Sequence, residues 1–310
     1  LSILLPEEYG GNGGDLTSFC LVIEEIAKVC GSSGLLILSQ GIGSTPVLLG
    51  GNPSQKQRFL VPVAEKNALI SFALNEPDCG LEAASLKTKA EKRGDSYRLR
   101  GQKGFVTHGG VAQYYTVFAM TQPDQGHRGL SAFVVEKGSP GLRFGTREDK
   151  IGLRGIVMAD LFLEDCAVPE ENRLGREGEG WTLATKTLNR TRVAMGAHAV
   201  GIAQGAFDFA IQYAKDRTQF GKSLASFQAI QFMIADMATQ IEAARALVYQ
   251  TATRIDLYGE EPERFSAMAK FYATDMAMKV TTDAVQILGG YGYMRDYPVE
   301  RMMRDAKVTQ

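Results

Sequence analysis

Near the end of the chain, Gln286-Ile-Leu-Gly-Gly290 runs into Tyr291-Gly-Tyr-Met-Arg-Asp-Tyr-Pro-Val-Glu300, joining an apolar helical run to a turn and a new helix. Paired glycines at such a point allow a chain reversal in which bare backbone N–H groups approach a ligand, because no Cβ stands in the way. Taken alone, the same pair serves equally as a helix C-cap without a ligand. Arg217-Thr-Gln-Phe-Gly-Lys222 supplies a second resource, since an arginine fork matches paired anionic oxygens. The alternative use of Arg217 is a surface ion pair with Asp216 or another nearby acid. A third cluster, Asn189-Arg-Thr-Arg192, adds two more guanidinium groups near the start of a long helical pattern.

The elements that must carry these residues follow from periodicity. From Asp15 to about Leu38 the apolar positions Leu16, Phe19, Cys20, Ile23, Ile26, Ala27 and Cys30 recur at helical spacing, with Asp15 as N-cap and Gly31 as stop. Residues 54–64, after Pro53, read as a short helix. Between about Ala68 and Val168 come short β-rich runs at Tyr97–Arg100, Tyr115–Met120, Ala132–Val135 and Asp160–Leu163, divided by Gly, Pro and Asp. Past Gly180 three long amphipathic stretches, 181–216, 227–258 and 262–288, suit an antiparallel bundle. The expected class is therefore α+β. A helical domain over 1–66 and a β-barrel or sandwich over 67–175 precede a helical bundle over 176–310. The charged stretch Glu260-Glu-Pro-Glu-Arg264 reads as a solvated connection.

Composition narrows the chemistry. With 34 basic and 35 acidic side chains among 310 residues there is no broad electrostatic footprint for nucleic acid or a membrane surface, so any phosphate recognition is local. No apolar run is expected to reach the roughly 18 to 20 residues of a bilayer span. The four cysteines show neither CxxC nor Cys/His spacing, so no metal site is expected, and reduced thiols point to a cytoplasmic compartment, or the mitochondrial matrix in a eukaryote. Leu1 rather than Met opens the chain, so it is expected to be part of a longer one.

Five blocks, in order and spacing, resemble the acyl-CoA dehydrogenase family: Leu4-Leu-Pro-Glu-Glu-Tyr-Gly-Gly11, Phe72-Ala-Leu-Asn-Glu-Pro-Asp-Cys-Gly80, Gly101-Gln-Lys-Gly-Phe-Val-Thr-His-Gly109, the Arg217 block and the Gln286–Lys307 block. The resemblance covers essentially the whole chain. It implies FAD as cofactor, with Phe72, Leu74 and Asn75 contacting the isoalloxazine and Phe105, Val106 and Thr107 forming its opposite wall. Asn75 stands where the family often has Thr, and Phe105 where it often has Trp; one can still hydrogen-bond and the other still stack. Arg217, Phe220 and Gln228 would reach the flavin of a neighbouring subunit, and Gln286, Ile287, Gly289 and Gly290 would join them at its adenosine half. A homo-oligomer, a dimer of dimers, is then part of function.

By the same resemblance Leu81, Asn189 and Arg192 would meet the acyl-CoA substrate. Leu81 replaces a usual serine and Glu82 a usual aspartate. Thr191 occupies the position at which some branches carry their catalytic glutamate. Other branches carry it after the Asp-Ala-Lys motif, so here the base is expected beyond Gln310, and Glu300 is read as a structural acid. The implied reaction is α,β-dehydrogenation of an acyl-CoA thioester, with electrons passed to an electron-transfer flavoprotein. The alternatives are an oxidase or decarboxylating dehydrogenase on the same fold, or a base-less partner subunit.

Overall fold

A computed structural model describes residues 1–79, 85–259 and 263–310. The chain divides into two compact units. One comprises Leu1–Gly14, Ser39–Asp149 and Ile156–Leu188; the other comprises Asp15–Leu38, Lys150–Gly155 and Asn189–Gln310.

The first unit is built on an eight-stranded sheet in the order β6-β7-β3-β2-β4-β5-β8, with β1 paired to β4 off this path. The strands are β1 (Ile70–Ala73), β2 (Lys89–Arg93), β3 (Ser96–Thr107), β4 (Tyr114–Met120), β5 (Leu130–Glu136), β6 (Leu142–Phe144), β7 (Met158–Pro169) and β8 (Arg173–Leu174). β4 shows why its sequence makes a central strand: Tyr115, Val117 and Ala119 enter one core while Phe118 and Met120 enter another. The first core also takes Leu99 of β3, Phe133 of β5 and Leu161 of β7. Strands remote along the sheet path thus share one core, so the sheet curls on itself. The second core is closed by Phe59, Leu60 and Val63 of α3 (Pro53–Glu65), whose burial is worth roughly 1.5 to 3 kcal/mol per side chain. Asn52 and Gln55 start α3 with a reciprocal capping box.

The second unit is helical. α1 (Leu16–Ala27) is capped by Asp15, which accepts from the N–H of Ser18 at 2.7 Å. Asp256 adds a second carboxylate there, accepting from the N–H groups of Leu16 and Thr17 at 2.9 Å each. Asp256 lies on α5 (Gln228–Tyr258), which packs on α1 and on α6 (Glu263–Leu288); α6 packs in turn on α7 (Pro298–Ala306). α4 (Gly180–Asp216) meets both α5 and α6 at Gly196, where a Cβ would come within 2.8 Å of Val248 and 3.4 Å of the Ala269 carbonyl.

Two expectations are corrected. The helix capped by Asp15 does not run to Gly31, because α1 ends at Ala27 and α2 (Gly31–Gly50) begins at Gly31, so that glycine opens a helix instead of closing one. In addition, α2 is long and apolar enough to cross a bilayer by length and composition, contrary to the sequence reading. It carries the polar attachments of a core helix: 56% of its apolar window is buried, and fully buried Gln40 accepts from the N–H of Ile70 at 2.9 Å.

Candidate functional site

In the first unit the two predicted loops leave adjoining parts of the sheet. Phe72, in β1, packs against Phe118, with ring centroids 4.9 Å apart, and Leu74 just past the strand rests on the same core. Asn75 follows, exposed, with its carbonyl accepting from the N–H of Gly104 at 2.9 Å. On β3 the register with β7 slips between Lys103 and Val106. This bulge puts Phe105 at φ 55° and turns its side chain outward, 63% exposed, while Val106 is buried. Asp160 holds the bulge by accepting from the Phe105 N–H at 3.1 Å. Thr107 is half-buried, and its carbonyl accepts from the Ser71 hydroxyl at 2.6 Å. Beneath both loops, Lys103 is fully buried, and its ammonium donates to Glu76 at 2.8 Å and to the Leu74 carbonyl at 3.0 Å. Burial works to raise the Glu76 carboxyl. The charge of Lys103, with bonds from Lys103, Thr88 and Lys87, overrides it and holds the group below its ordinary range.

In the second unit, Arg217 follows the end of α4 and enters a hairpin of β9 (Thr218–Gln219) and β10 (Lys222–Ser223). Phe220 and Gly221 form its two-residue turn with φ of 51° and 78°, the positive pair that a type I′ turn requires. Phe220 at the tip is 93% exposed. A groove of about 470 Å3 is lined by Arg217 together with Tyr213, Gln219, Leu224, Met294 and the run Ile287–Tyr291. At Gly289 and Gly290 an added Cβ would meet nothing within 4 Å, so their backbone faces open space. No carboxylate pairs with Arg217 among the described residues; its guanidinium lies 5.4 Å from the centroid of Tyr291. The ion pair with Asp216 is thus not formed, and Asp216 instead accepts from Gln212 at 2.9 Å.

The structure brings Arg217, Ile287, Gly289 and Gly290 together; Gln228 and Gln286 are exposed and lie outside the groove lining. Asn189 and Arg192 form a separate cluster, with Arg192 donating to Asn189 at 3.1 Å and to Glu263 at 2.7 Å. Thr191 is buried. Glu300 takes both Nε and Nη2 of Arg304 at 2.8 and 2.9 Å, a fork that lowers its carboxyl. Leu81 and Glu82, and the residues 260–262 of the charged connection, lie outside the described residues. Reading the sequence missed Lys103 and the aromatic support of Arg217 by Tyr291. The second was open to detection, because Tyr291 directly follows the paired glycines.

Comparison with known proteins decides the identity of this arrangement. The chain matches the acyl-CoA dehydrogenase N-terminal domain over residues 1–67, the middle domain over 71–166 and the C-terminal domain over 178–310. The chain belongs to the acyl-CoA dehydrogenase family. It is 50% identical over 311 residues to cyclohex-1-ene-1-carbonyl-CoA dehydrogenase of Syntrophus aciditrophicus (strain SB), covering 100% of this chain and 75% of that protein. A solved structure described as the electron transferring flavoprotein of Acidaminococcus fermentans has a TM-score of 0.97 at 50% identity, covering 100% of this chain and 81% of that one. An acyl-CoA dehydrogenase complexed with FAD from Bacillus anthracis has a TM-score of 0.93 at 34% identity, covering 100% and 56%.

This acyl-CoA dehydrogenase is therefore an oxidoreductase, and its cofactor is FAD. The residues present fit that group: the groove pairs an arginine free of carboxylates with glycine backbone that a ligand can approach.

Proposed function

We propose that the protein dehydrogenates an acyl-CoA thioester between its α and β carbons, with FAD contacted by Asn75, Phe105 and Thr107 of one copy of the chain and by Arg217, Gly289 and Gly290 of a neighbouring copy. The observation that carries the reading is the Arg217 guanidinium, free of carboxylates, lying over Tyr291 beside glycine backbone that a ligand can approach, a cation placed to take paired phosphate oxygens. FAD, when bound, supplies the hydride acceptor. The exposed ring of Phe105 offers a face for stacking, and Asn75 offers an amide for hydrogen bonding.

Removal of the α proton needs a carboxylate. Thr191 cannot act as one, and both oxygens of Glu300 are committed to Arg304. Arg192 supplies a cation for the CoA portion of the substrate, and its bond to Glu263 is exposed enough to be exchanged for a CoA phosphate. The exposed Phe220 at its hairpin tip supports a cofactor site completed by a second copy of the chain. The similarity to cyclohex-1-ene-1-carbonyl-CoA dehydrogenase favours an alicyclic acyl group, and the likeness to the electron transferring flavoprotein structure favours such a protein as acceptor.

Arg217→Ala tests the placement. The expected outcome is a folded protein whose FAD content after reconstitution falls by at least about tenfold, the cost of one charge-assisted contact to phosphate. Unchanged FAD content would contradict it.

A further inference from the structure

Lys103 is a costly residue to keep where it is. Its side chain is fully buried, and a buried ion pair is often no more stabilising than apolar side chains of similar volume. Neutralising Glu76 would occupy one of its three donors, yet a second is given to the backbone carbonyl of Leu74 at 3.0 Å. The next carbonyl, that of Asn75, is taken by the N–H of Gly104 at 2.9 Å. Glu76 completes the arrangement by accepting from the backbone N–H groups of Lys87 at 2.6 Å and Thr88 at 3.0 Å, so one carboxylate ties both of these residues to Lys103 of β3.

Peptide geometry gives this clamp a direction. In a trans peptide the C=O and the following N–H point opposite ways, and the chain has no cis bonds among its described residues. With the Leu74 C=O drawn in toward Lys103, the N–H of Asn75 is turned away from the buried pair, and no acceptor among the described residues takes it. It sits on an exposed residue, a donor held in place but unused by the fold.

We propose that Lys103 and Glu76 are positioning residues for the cofactor: they lock the Leu74–Asn75 peptide so that the Asn75 N–H is presented to the flavin ring. This rests on the reading that Asn75 faces FAD. The ring gains negative charge as it accepts hydride, and a fixed donor at its edge stabilises the reduced form more than the oxidised one. Lys103 thereby acts on redox chemistry without touching the ring.

The test uses FAD-loaded Lys103→Met. With the peptide released, the reduction potential of the bound flavin becomes more negative, its absorption band shifts, and kcat falls roughly three- to tenfold, the worth of one net hydrogen bond, while KM stays within about twofold. A purely structural role would lower thermal stability and leave potential, band and the split between kcat and KM untouched; that result in a folded variant overturns the proposal. Should Lys103→Met fail to fold, Glu76→Gln keeps the ammonium on Leu74 but weakens its anchorage. A smaller shift of the same sign then supports the proposal, and an unchanged potential overturns it. Wild-type protein that takes up no FAD would remove the cofactor reading itself, whereas an unchanged variant beside a yellow wild type removes this proposal alone.

Discussion

His108 is buried at φ 60°, with its Nε2 3.0 Å from the Ser39 hydroxyl, and burial pushes its imidazole down to about 4. The unfolded chain therefore takes up that proton first, and stability is lost as pH falls from about 6.5 toward 4. His198 is shifted the same way, being buried with its Nε2–H on the Gly31 carbonyl. Asparagine tolerates positive φ, so His108→Asn is expected to flatten this acid limb in a melting-temperature series while changing neutral-pH stability by no more than about 1 kcal/mol. Glu76 acts at lower pH. Its depressed carboxyl contributes stability above the ordinary carboxylate range, and that contribution is lost as pH falls through its folded value. At the groove, Tyr291→Leu removes the aromatic face under Arg217 and should weaken FAD binding about two- to fivefold by equilibrium titration, whereas Tyr291→Phe keeps the face and the affinity. Equal weakening in both variants would assign the effect to the hydroxyl instead.

At the scale of elements, Gly196 sets how closely α4 meets α5 and α6, and Gly196→Val should cost about 1 to 3 kcal/mol in denaturant unfolding because Val248 and the Ala269 carbonyl leave no room. Elements whose residues have a buried face were readable from sequence. α5 announces itself by period 3.6, and β4, buried on both faces, by an unbroken run of aromatic, β-branched and apolar residues. β2 did not, since Lys-Ala-Glu-Lys-Arg buries only Ala90 and is held by backbone pairing to β3, which leaves no alternation to see. The break between α1 and α2 was misplaced because Gly31 and Gly34 look like punctuation when propensity alone is weighed, and tertiary packing overrode it. Of the candidate site, the motif positions were legible and their geometry was not. Neither the bulge that turns Phe105 outward nor the type I′ turn that exposes Phe220 shows in side-chain pattern, because each depends on a positive φ at a non-glycine residue.

For the whole molecule, the proposed completion of the cofactor site by a second copy would make FAD retention depend on protein concentration. Dilution should release FAD and subunits together, and Phe220→Ala should move both transitions to higher concentration; simultaneous measurement by fluorescence and light scattering checks this, and retention of FAD by a monomer would refute it. The most direct test of the account is anaerobic mixing of the FAD-loaded protein with straight-chain, branched and alicyclic acyl-CoA thioesters while the flavin absorbance is followed. The account predicts bleaching by at least one thioester with appearance of its 2-enoyl product. A flavin that stays fully oxidised with every thioester would contradict it.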